Sequence, residues 1–268
     1  MKVKILFKQI ALLLLAVLLC PVSEVLALTL AGQELEITVS DAYVSRYIWR
    51  GQDLFGDNDG ANQPSIDFTF PKLFYGTDLS LNVWGSFPVT GGHEDSEELD
   101  YTVSFSRDFM EEAFNISVGN TYYDYPNTSS TADVNEPWLS FTWNELPFLP
   151  LPVSMTLFGG YDFKARSEGP EEGWYFSWGF DTELPLPAAG GIFQEGQTVA
   201  LGVVNWGQDG VAGLTPSSLY STELSASTTY AAGPFTFTPN MHYSFMHEDT
   251  INGGKNELWG GLEVSYAF

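Results

Sequence analysis

Residues 258–268 end the 268-residue chain and read Leu-Trp-Gly-Gly-Leu-Glu-Val-Ser-Tyr-Ala-Phe. The large apolar side chains of this segment share one parity: Leu258, Leu262, Val264, Tyr266 and Phe268. The polar side chains in and just before it take the other parity: Glu257, Glu263 and Ser265. Because successive side chains of a β-strand point to opposite sides of the sheet, this alternation predicts one strand with an apolar and a polar face.

An aromatic residue closes this strand beside the final carboxylate, a pattern that is typical of the last strand in bacterial outer-membrane barrels. Four positions, Gly261, Val264, Tyr266 and Phe268, resemble the C-terminal signal that the barrel-assembly machinery of Gram-negative bacteria reads. The resemblance implies that this machinery is a partner of the chain and inserts it into the outer membrane.

The first 27 residues have the composition of a cleaved secretory signal. Three lysines come first: Lys2, Lys4 and Lys8. The apolar run 10–19 follows, and Ala27 supplies the small residue of a cleavage site. The run is shorter than the roughly 20 residues of a membrane-spanning helix, and Cys20 leaves a lipoprotein signal as the alternative. We expect a signal peptide at 1–27 and a mature domain at 28–268 that has no cysteine.

Charge and composition narrow the function classes. Of 10 basic and 34 acidic residues, the first 27 positions hold three lysines and one glutamate, which leaves 7 and 33 and a mature net charge of −26. Such a negative net charge excludes nucleic acid as a partner. Aromatic residues make up 15% of the chain, and no later apolar run reaches helix-spanning length. Such a chain enters a membrane only as a closed barrel, whose strands satisfy one another's backbone groups.

Twelve segments alternate with period 2, and each is close to the roughly 9 to 11 residues that a tilted membrane strand needs. They fall at 35–49, 62–70, 77–88, 97–109, 113–125, 136–144, 153–164, 173–184, 198–206, 219–230, 235–246 and 257–268. The segments 136–144 and 198–206 are less regular, which leaves ten or fourteen strands open. The pattern predicts an all-β fold, a transmembrane antiparallel up-and-down β-barrel of about twelve strands.

The connections also alternate in length. Longer loops rich in Gly, Asp, Asn and Ser follow the odd-numbered segments, as at 51–61 and 207–218, and shorter or Pro-rich ones mostly follow the even-numbered segments, as at 110–112 and 146–152. Long loops outside and short turns in the periplasm are typical of outer-membrane barrels, with both termini in the periplasm. The segment 185–197 is an exception, because it is long for a periplasmic turn.

A soluble barrel or sandwich is the structural alternative, since period 2 does not say which face lies inside. A soluble barrel of about twelve strands would enclose an apolar cavity larger than small side chains can fill. Carboxylates occupy the polar parity of many segments, which favours an inverted barrel with a polar interior.

The densest motif is Ser-Asp-Ala-Tyr-Val-Ser-Arg-Tyr-Ile-Trp-Arg-Gly at 40–51, followed by Gln-Pro-Ser at 63–65. Over residues 37–70 this pattern resembles the TorF-like porin family, small outer-membrane barrels of Gram-negative bacteria. The rest of the chain matches that family in its barrel pattern and in Phe268 only, and residues are inserted within the motif. The resemblance implies a porin-like fold and leaves the substrate open.

The polar parity predicts which side chains line the lumen. Arg46 and Arg50 lie four apart in the predicted first strand, so we expect them on one luminal face, about 13 Å apart. The other predicted pore-lining residues are Asp78, Asp100, Asp162, Lys164, Asp181, Glu223 and Glu263. Charges that face each other in this way form either a transverse field that selects solutes or ion pairs that pin the barrel wall.

Asp57, Asp59 and Gly60 match positions 3, 5 and 6 of a calcium-binding loop, but Phe55 and Ile66 stand where the first and last ligands belong. We therefore expect a solvated turn here and no metal site.

An enzyme that cleaves lipids needs a serine, a histidine and an orienting Asn or Asp at the lipid surface. His242 and Ser244 share the luminal parity and point away from lipid, while His93 and His247 fall in loops. We expect no catalytic residue, no enzyme activity and no cofactor.

These observations favour an outer-membrane channel for the passive diffusion of small hydrophilic solutes, cations or neutral molecules, through an acidic lumen. The alternative is a non-conducting barrel, plugged by its own side chains, that serves membrane integrity or surface interaction. A lipid-modifying enzyme is the least favoured function. The expected surroundings are outer-membrane lipid and lipopolysaccharide.

Overall fold

The computed structural model describes residues 28–30, 32–56, 59–128, 133–165, 172–186, 197–209 and 218–268. Twelve long β-strands account for most of these residues. They are β1 (Gln33–Val44), β2 (Ala61–Phe74), β3 (Thr77–Pro88), β4 (Glu98–Phe109), β5 (Phe114–Asp124), β6 (Val134–Trp143), β7 (Val153–Lys164), β8 (Gly173–Pro185), β9 (Thr198–Asp209), β10 (Ser218–Thr228), β11 (Phe235–Met246) and β12 (Glu257–Ala267). Among the described residues, no helix has the length and apolar character to cross a membrane.

The sheet closes on itself. Each strand pairs antiparallel with its sequence neighbours, and β12 pairs with β1, from Gly261 opposite Val44 to Ala267 opposite Thr38. Because β1 also pairs with β2, none of the twelve strands keeps a free edge. The fold is an all-β, up-and-down barrel of twelve strands with transmembrane architecture. The predicted fold class is confirmed, and the alternatives of ten or fourteen strands are excluded.

The observed strand bounds follow the predicted segments closely, with one main correction. The segment 77–88 coincides with β3 and 235–246 with β11, and the two less regular segments form β6 and β9. The alternation predicts a first strand that reaches residue 49, but β1 ends at Val44. Residues beyond Val44 belong to a loop that folds into the barrel.

The alternation of side chains along each strand places apolar side chains on the outside of the barrel and polar side chains inside it. Large apolar side chains exposed on the outer face include Tyr43, Leu81, Tyr101, Val103, Phe105, Ile116, Val118, Leu139, Leu157, Phe176, Leu201, Leu224, Met241 and Leu262. Many of the buried side chains are polar instead: Ser86, Glu98, Thr121, Glu136, Asp162, Ser177, Ser221, Ser244 and Glu257. A soluble protein has the opposite distribution, so the soluble alternative is wrong.

The two ends of the barrel differ. One end has short turns and the chain terminus, where the Phe268 backbone N–H donates to the Ile37 carbonyl at 2.8 Å and the Phe268 ring lies 4.5 Å from that of Tyr266. Long connections leave the other end. The first of these, residues 45–60, is loop 1; the connection 247–256 between β11 and β12 is loop 6. Residues 187–196 of the long predicted turn lie outside the described residues.

The two ends allow a test of orientation in the outer membrane. Epitope tags inserted at Gly92, Gly169 and Gly210 are expected to bind antibody on intact cells, whereas a tag at Gly233 is expected to bind only after the outer membrane is broken. The reason is that Gly92 and Gly233 lie at opposite ends of the barrel. Equal labelling of Gly233 on intact cells would contradict the orientation.

The terminal ring contact allows a test of assembly. Replacing Phe268 with Asp, or deleting it, removes the last apolar side chain of the outer parity, so the amount of heat-modifiable barrel in the outer membrane is expected to fall several-fold. Ala267→Asp is the control, because it adds the same charge one residue earlier on the opposite parity. An unchanged amount of folded Phe268→Asp protein would show that the terminal pattern is only a strand end.

Candidate functional site: the lumen constricted by loop 1

Loop 1 turns into the lumen through a miniature hairpin. Ile48–Trp49 pairs with Gln52–Asp53, and the connecting residues Arg50 and Gly51 have φ angles of 48° and 81°. Two consecutive positive φ angles are what a tight type I′ turn requires. Gly51 also fits for a steric reason, because a Cβ atom there would lie 2.5 Å from Ser221 Oγ on β10. The hairpin tip therefore packs directly against the barrel wall.

This hairpin corrects the prediction for the two arginines. Arg46 and Arg50 do not lie on one strand about 13 Å apart, because the chain leaves the sheet after Val44. Both side chains nevertheless meet luminal carboxylates: Arg46 forms an ion pair with Glu257 of β12, and Arg50 forms one with Glu136 of β6. Apolar and polar side chains continue to alternate through the hairpin. The period-2 pattern alone therefore does not reveal that the chain reverses its direction there.

Arg50 is the central contact of loop 1. Its Nη1 and Nη2 atoms donate to the two carboxylate oxygens of Glu136 at 2.6 and 2.7 Å, and the two side chains are only 7% and 1% exposed. Four rings surround the guanidinium, with centroids 4.3 to 5.2 Å from Cζ: Trp49, Phe158, Tyr175 and Trp206. Burial alone would lower the pKa of Arg50, but the neighbouring Tyr123, Glu136 and Asp162 outweigh it and raise that pKa.

A second contact joins loop 1 to the adjacent wall. The Tyr47 hydroxyl donates to Glu98 Oε2 at 2.6 Å, and the Tyr125 hydroxyl donates to Glu98 Oε1 at 3.0 Å. Burial, followed by the charge of Glu98, raises the pKa of Tyr47 well above its usual value, so this hydroxyl keeps its proton. The Tyr47 ring also packs 5.2 Å from that of Phe55, which is itself buried.

A third contact comes from loop 6. The Asn252 side-chain amide donates to the Gly51 carbonyl at 2.8 Å, and the Asp53 backbone N–H donates to Asn252 Oδ1 at 2.9 Å. The Gln52 side-chain amide adds a bond to the Tyr175 hydroxyl at 3.2 Å. Loop 1 is thus held inside the barrel by strands on several sides and by a neighbouring loop.

Among the described residues, the lumen holds a larger cavity beside loop 1 and a smaller one away from that loop. The larger has a volume of about 430 Å³ and lies between loop 1 and strands β1 to β4 and β10 to β12. The smaller has a volume of about 220 Å³ and lies against β7 to β10. Their separation gives the lumen two chemically different sides.

The structure brings some of the predicted pore-lining residues together and separates others. Arg46, Asp100, Glu223 and Glu263 line the larger cavity, whereas Asp181 lines the smaller one. Asp162 is buried beside Glu136 and Arg50. The two remaining residues lie at strand ends: Asp78 accepts a hydrogen bond from the Lys72 backbone at 2.7 Å, and the backbone N–H of Lys164 donates to Glu172 at 3.3 Å.

Sequence reasoning did not select Glu98 and Glu136, although both hold loop 1. The signal for Glu98 was present, because it shares the parity of Asp100 in the predicted fourth segment. Glu136 was harder to identify, since its luminal parity also carries the aromatic Trp138. A glycine on the neighbouring strand β7 makes room for it: a Cβ atom on Gly160 would lie 2.7 Å from Glu136 Cδ.

The three histidines each have a nearby partner. His93 Nε2 lies 2.7 Å from Asp59, His242 Nδ1 lies 2.8 Å from Glu223, and His247 Nε2 lies 2.9 Å from the Thr222 hydroxyl. Asp57 of the calcium-like pattern lies outside the described residues. Within the described ranges, no group of three or more His, Cys, Asp or Glu side chains is placed to hold a metal ion. The absence of enzyme activity and of a cofactor stays a prediction.

Comparison with known proteins supports the fold. The sequence matches no family model and no curated protein. An outer membrane channel from Pseudomonas putida F1 is 11% identical with a TM-score of 0.55, over 92% of this chain and 100% of that chain. The NanC porin is 12% identical with a TM-score of 0.49, over 87% of this chain and 98% of the porin. At 11% identity the similarity to the channel shows the barrel fold alone, and membership of the TorF-like family stays a prediction.

Replacing Glu136 with Gln tests whether the Arg50 contact holds loop 1 in the lumen. Removing one partner of a buried ion pair costs about 3 to 5 kcal/mol, so loop 1 is expected to leave the lumen more often. Trypsin is then expected to cleave the purified barrel after Arg50 at least about tenfold faster, measured by mass spectrometry of the fragments.

Asp181→Asn is the matched control for this experiment, because it removes a luminal carboxylate that lies away from loop 1. Glu136→Gln protein that resists trypsin as well as the unmodified barrel would show that other contacts hold loop 1.

Proposed function

We propose that this chain is an outer-membrane channel for the passive diffusion of small hydrophilic solutes, cationic or neutral. In this proposal it is exported by a cleaved signal at 1–27, inserted by the barrel-assembly machinery, and surrounded by outer-membrane lipid and lipopolysaccharide. The observation that carries the proposal is the imbalance of charge along a polar lumen inside a closed twelve-strand barrel. Resemblance of the fold to an outer membrane channel supports it.

The charge imbalance follows from the ion pairs. Arg46 is paired with Glu257 and Arg50 with Glu136, so both arginines of loop 1 are matched by carboxylates. Glu263 lines the larger cavity in addition to these pairs, and Glu223 lies there beside His242. Carboxylates in a cleft with low-dielectric walls concentrate cations and repel anions. The lumen therefore favours cations over anions and leaves neutral solutes to be sorted by size.

Loop 1 sets the size limit. Its hairpin occupies the lumen between the aromatic cluster around Arg50 and the larger cavity, and it is anchored to β6 through Glu136 and to β4 through Glu98. A solute that crosses the barrel must pass between this loop and the wall. We infer that the width beside loop 1, rather than the circumference of the sheet, limits permeation.

The same anchoring supports a second function, a non-conducting barrel that is plugged by loop 1 and serves membrane integrity or surface interaction. Three separate contacts, through Glu98, Glu136 and Asn252, hold the loop inside. In this alternative the luminal carboxylates act as structural partners of loop 1.

Reversal potentials across a salt gradient in planar bilayers test the channel. Replacing Asp181 with Asn and Glu263 with Gln is expected to reduce the cation preference, whereas Arg46→Ser is expected to increase it because Glu257 loses its counter-charge. Both effects are expected to be larger at 0.01 M salt than at 1 M, since the Debye length falls from roughly 30 Å to about 3 Å.

Glu111→Gln/Glu112→Gln is the control, because it removes two carboxylates from the exposed turn between β4 and β5. An unmodified barrel that prefers anions, or has no preference at low salt, would contradict the proposed selectivity. Absence of conductance would favour the plugged barrel, and conductance that appears after loop 1 is shortened would identify the plug.

A further inference from the structure

We infer that the larger luminal cavity is a binding site for neutral monosaccharides, ring-shaped molecules with apolar C–H faces and a rim of hydroxyl groups. The inference rests on the proposed function, since it names a solute class for the same lumen. It depends on three features of the cavity: polar side chains around a floor of small residues, an apolar margin, and a charge balance that disfavours anions.

Small residues of two neighbouring strands form the floor of the cavity. Gly261 of β12 lies opposite Val44 of β1, and Ala42 is the next luminal residue of β1. A Cβ atom on Gly261 would lie 2.5 Å from the Tyr43 carbonyl oxygen, so only glycine fits there. The wall is therefore hollow at this point, and a ligand can approach the backbone closely.

Three polar side chains border this floor: Gln63, Asn240 and Glu263. Glu263 and Gln63 lie directly opposite Ala42 on its two sides, so their backbones are about 10 Å apart with Ala42 between them. Asn240 lies directly opposite Gly261, which places it on the diagonal from Glu263, about 7 to 8 Å away. The three side chains thus converge on one hollow, where they can meet hydroxyl groups on different edges of one ring.

These three side chains keep unused hydrogen-bonding capacity. Asn240 Oδ1 has no hydrogen-bond donor among the described residues, and the ion pairs of those residues leave Glu263 without a basic partner. The Gln63 side-chain amide donates to Ser86 Oγ at 3.3 Å, which leaves the Gln63 oxygen as an acceptor. A hydroxyl group both donates and accepts, so it suits a rim of amides and a carboxylate better than an ammonium group, which only donates.

The margin of the cavity is apolar. Trp84 of β3 lies opposite Ser65, one luminal position along β2 from Gln63. Trp259 lies one luminal position along β12 from Gly261. Loop 1 closes the opposite side of the cavity with residues 46–49. Aromatic and aliphatic surfaces of this kind pack against the C–H faces of a sugar ring.

The charge of the cavity disfavours an anionic ligand. Among the described residues that line it, Arg46 is paired with Glu257, and the His242 ring lies against Glu223. Glu263 remains in excess and repels carboxylate and phosphate groups. The volume of about 430 Å³ is near the lower end of the range for small-molecule sites, roughly 300 to 1,000 Å³, which suits one sugar ring better than a long chain.

The test is direct binding to the purified full barrel at low salt, in a detergent that has no sugar headgroup. The probes are the methyl glycosides of glucose, galactose and mannose, followed by calorimetry and tryptophan fluorescence. Two comparison ligands separate hydroxyl recognition from charge: methyl glucuronide is a sugar ring with a carboxylate, and propylammonium is a cation without hydroxyl groups. We expect at least one neutral glycoside to bind at least about tenfold more tightly than either.

Two variants test the place of binding. Asn240→Leu/Glu263→Met is expected to weaken glycoside binding at least about tenfold, because it removes one neutral and one charged hydrogen-bonding partner. Ala42→Leu keeps the polar groups but fills the floor, and is expected to weaken binding by a similar factor. The control Glu111→Gln/Glu112→Gln removes two carboxylates outside the lumen and is expected to change binding less than about twofold. Heat modifiability on gels shows that each variant is folded.

The outcomes separate this inference from the proposed function. Methyl glucuronide or propylammonium that binds as tightly as every neutral glycoside overturns the inference even if the barrel conducts. Unchanged glycoside affinity in folded Ala42→Leu protein overturns it as well. Glycoside binding with the expected variant pattern supports the inference even if planar bilayers show no conductance, in which case passive transport alone is wrong.

Discussion

Closure of the sheet between β1 and β12 is the constraint on which the rest of the structure depends. Once these strands pair, all twelve strands have partners on both sides, and each side chain must point either outward or into a narrow lumen. The period-2 pattern then sends apolar residues outward and carboxylates inward. A closed ladder is also what allows β-strands to lie in lipid, because no backbone group is left without a partner.

The carboxylates that point into the lumen require hydrogen-bond and charge partners, and loop 1 supplies them. Glu98 and Glu136 are almost completely buried, and buried carboxylates are costly unless they are paired and hydrogen-bonded. Arg50 provides a charge and two donors to Glu136, and Tyr47 provides a hydroxyl to Glu98. The position of loop 1 thus depends on these two carboxylates of the barrel wall. Replacing either carboxylate is expected to shift loop 1.

This coupling makes the lumen asymmetric. On the side of β7 to β9, aromatic rings pack around Arg50, and the smaller cavity lies against the same strands. On the opposite side, carboxylates remain beyond those that loop 1 neutralises, and they share the larger cavity with Trp84 and Trp259. Loop 1, which narrows the lumen, therefore lies next to the charged surface of the larger cavity. A solute meets the limit on its size and the negative charge at the same level of the barrel.

The sequence by itself determined the strands, a number of about twelve and the direction of their faces, because these depend on a local period that each segment carries alone. It also placed Asp100, Glu223 and Glu263 on the luminal parity. Only the tertiary structure decided that the chain leaves the sheet at Val44, that Arg50 meets Glu136 across 86 positions of sequence, and that Glu98 receives Tyr47. The physical reason is that a turn at Arg50 and Gly51 preserves the alternation while reversing the chain, and contacts across a lumen depend on closure of the whole barrel.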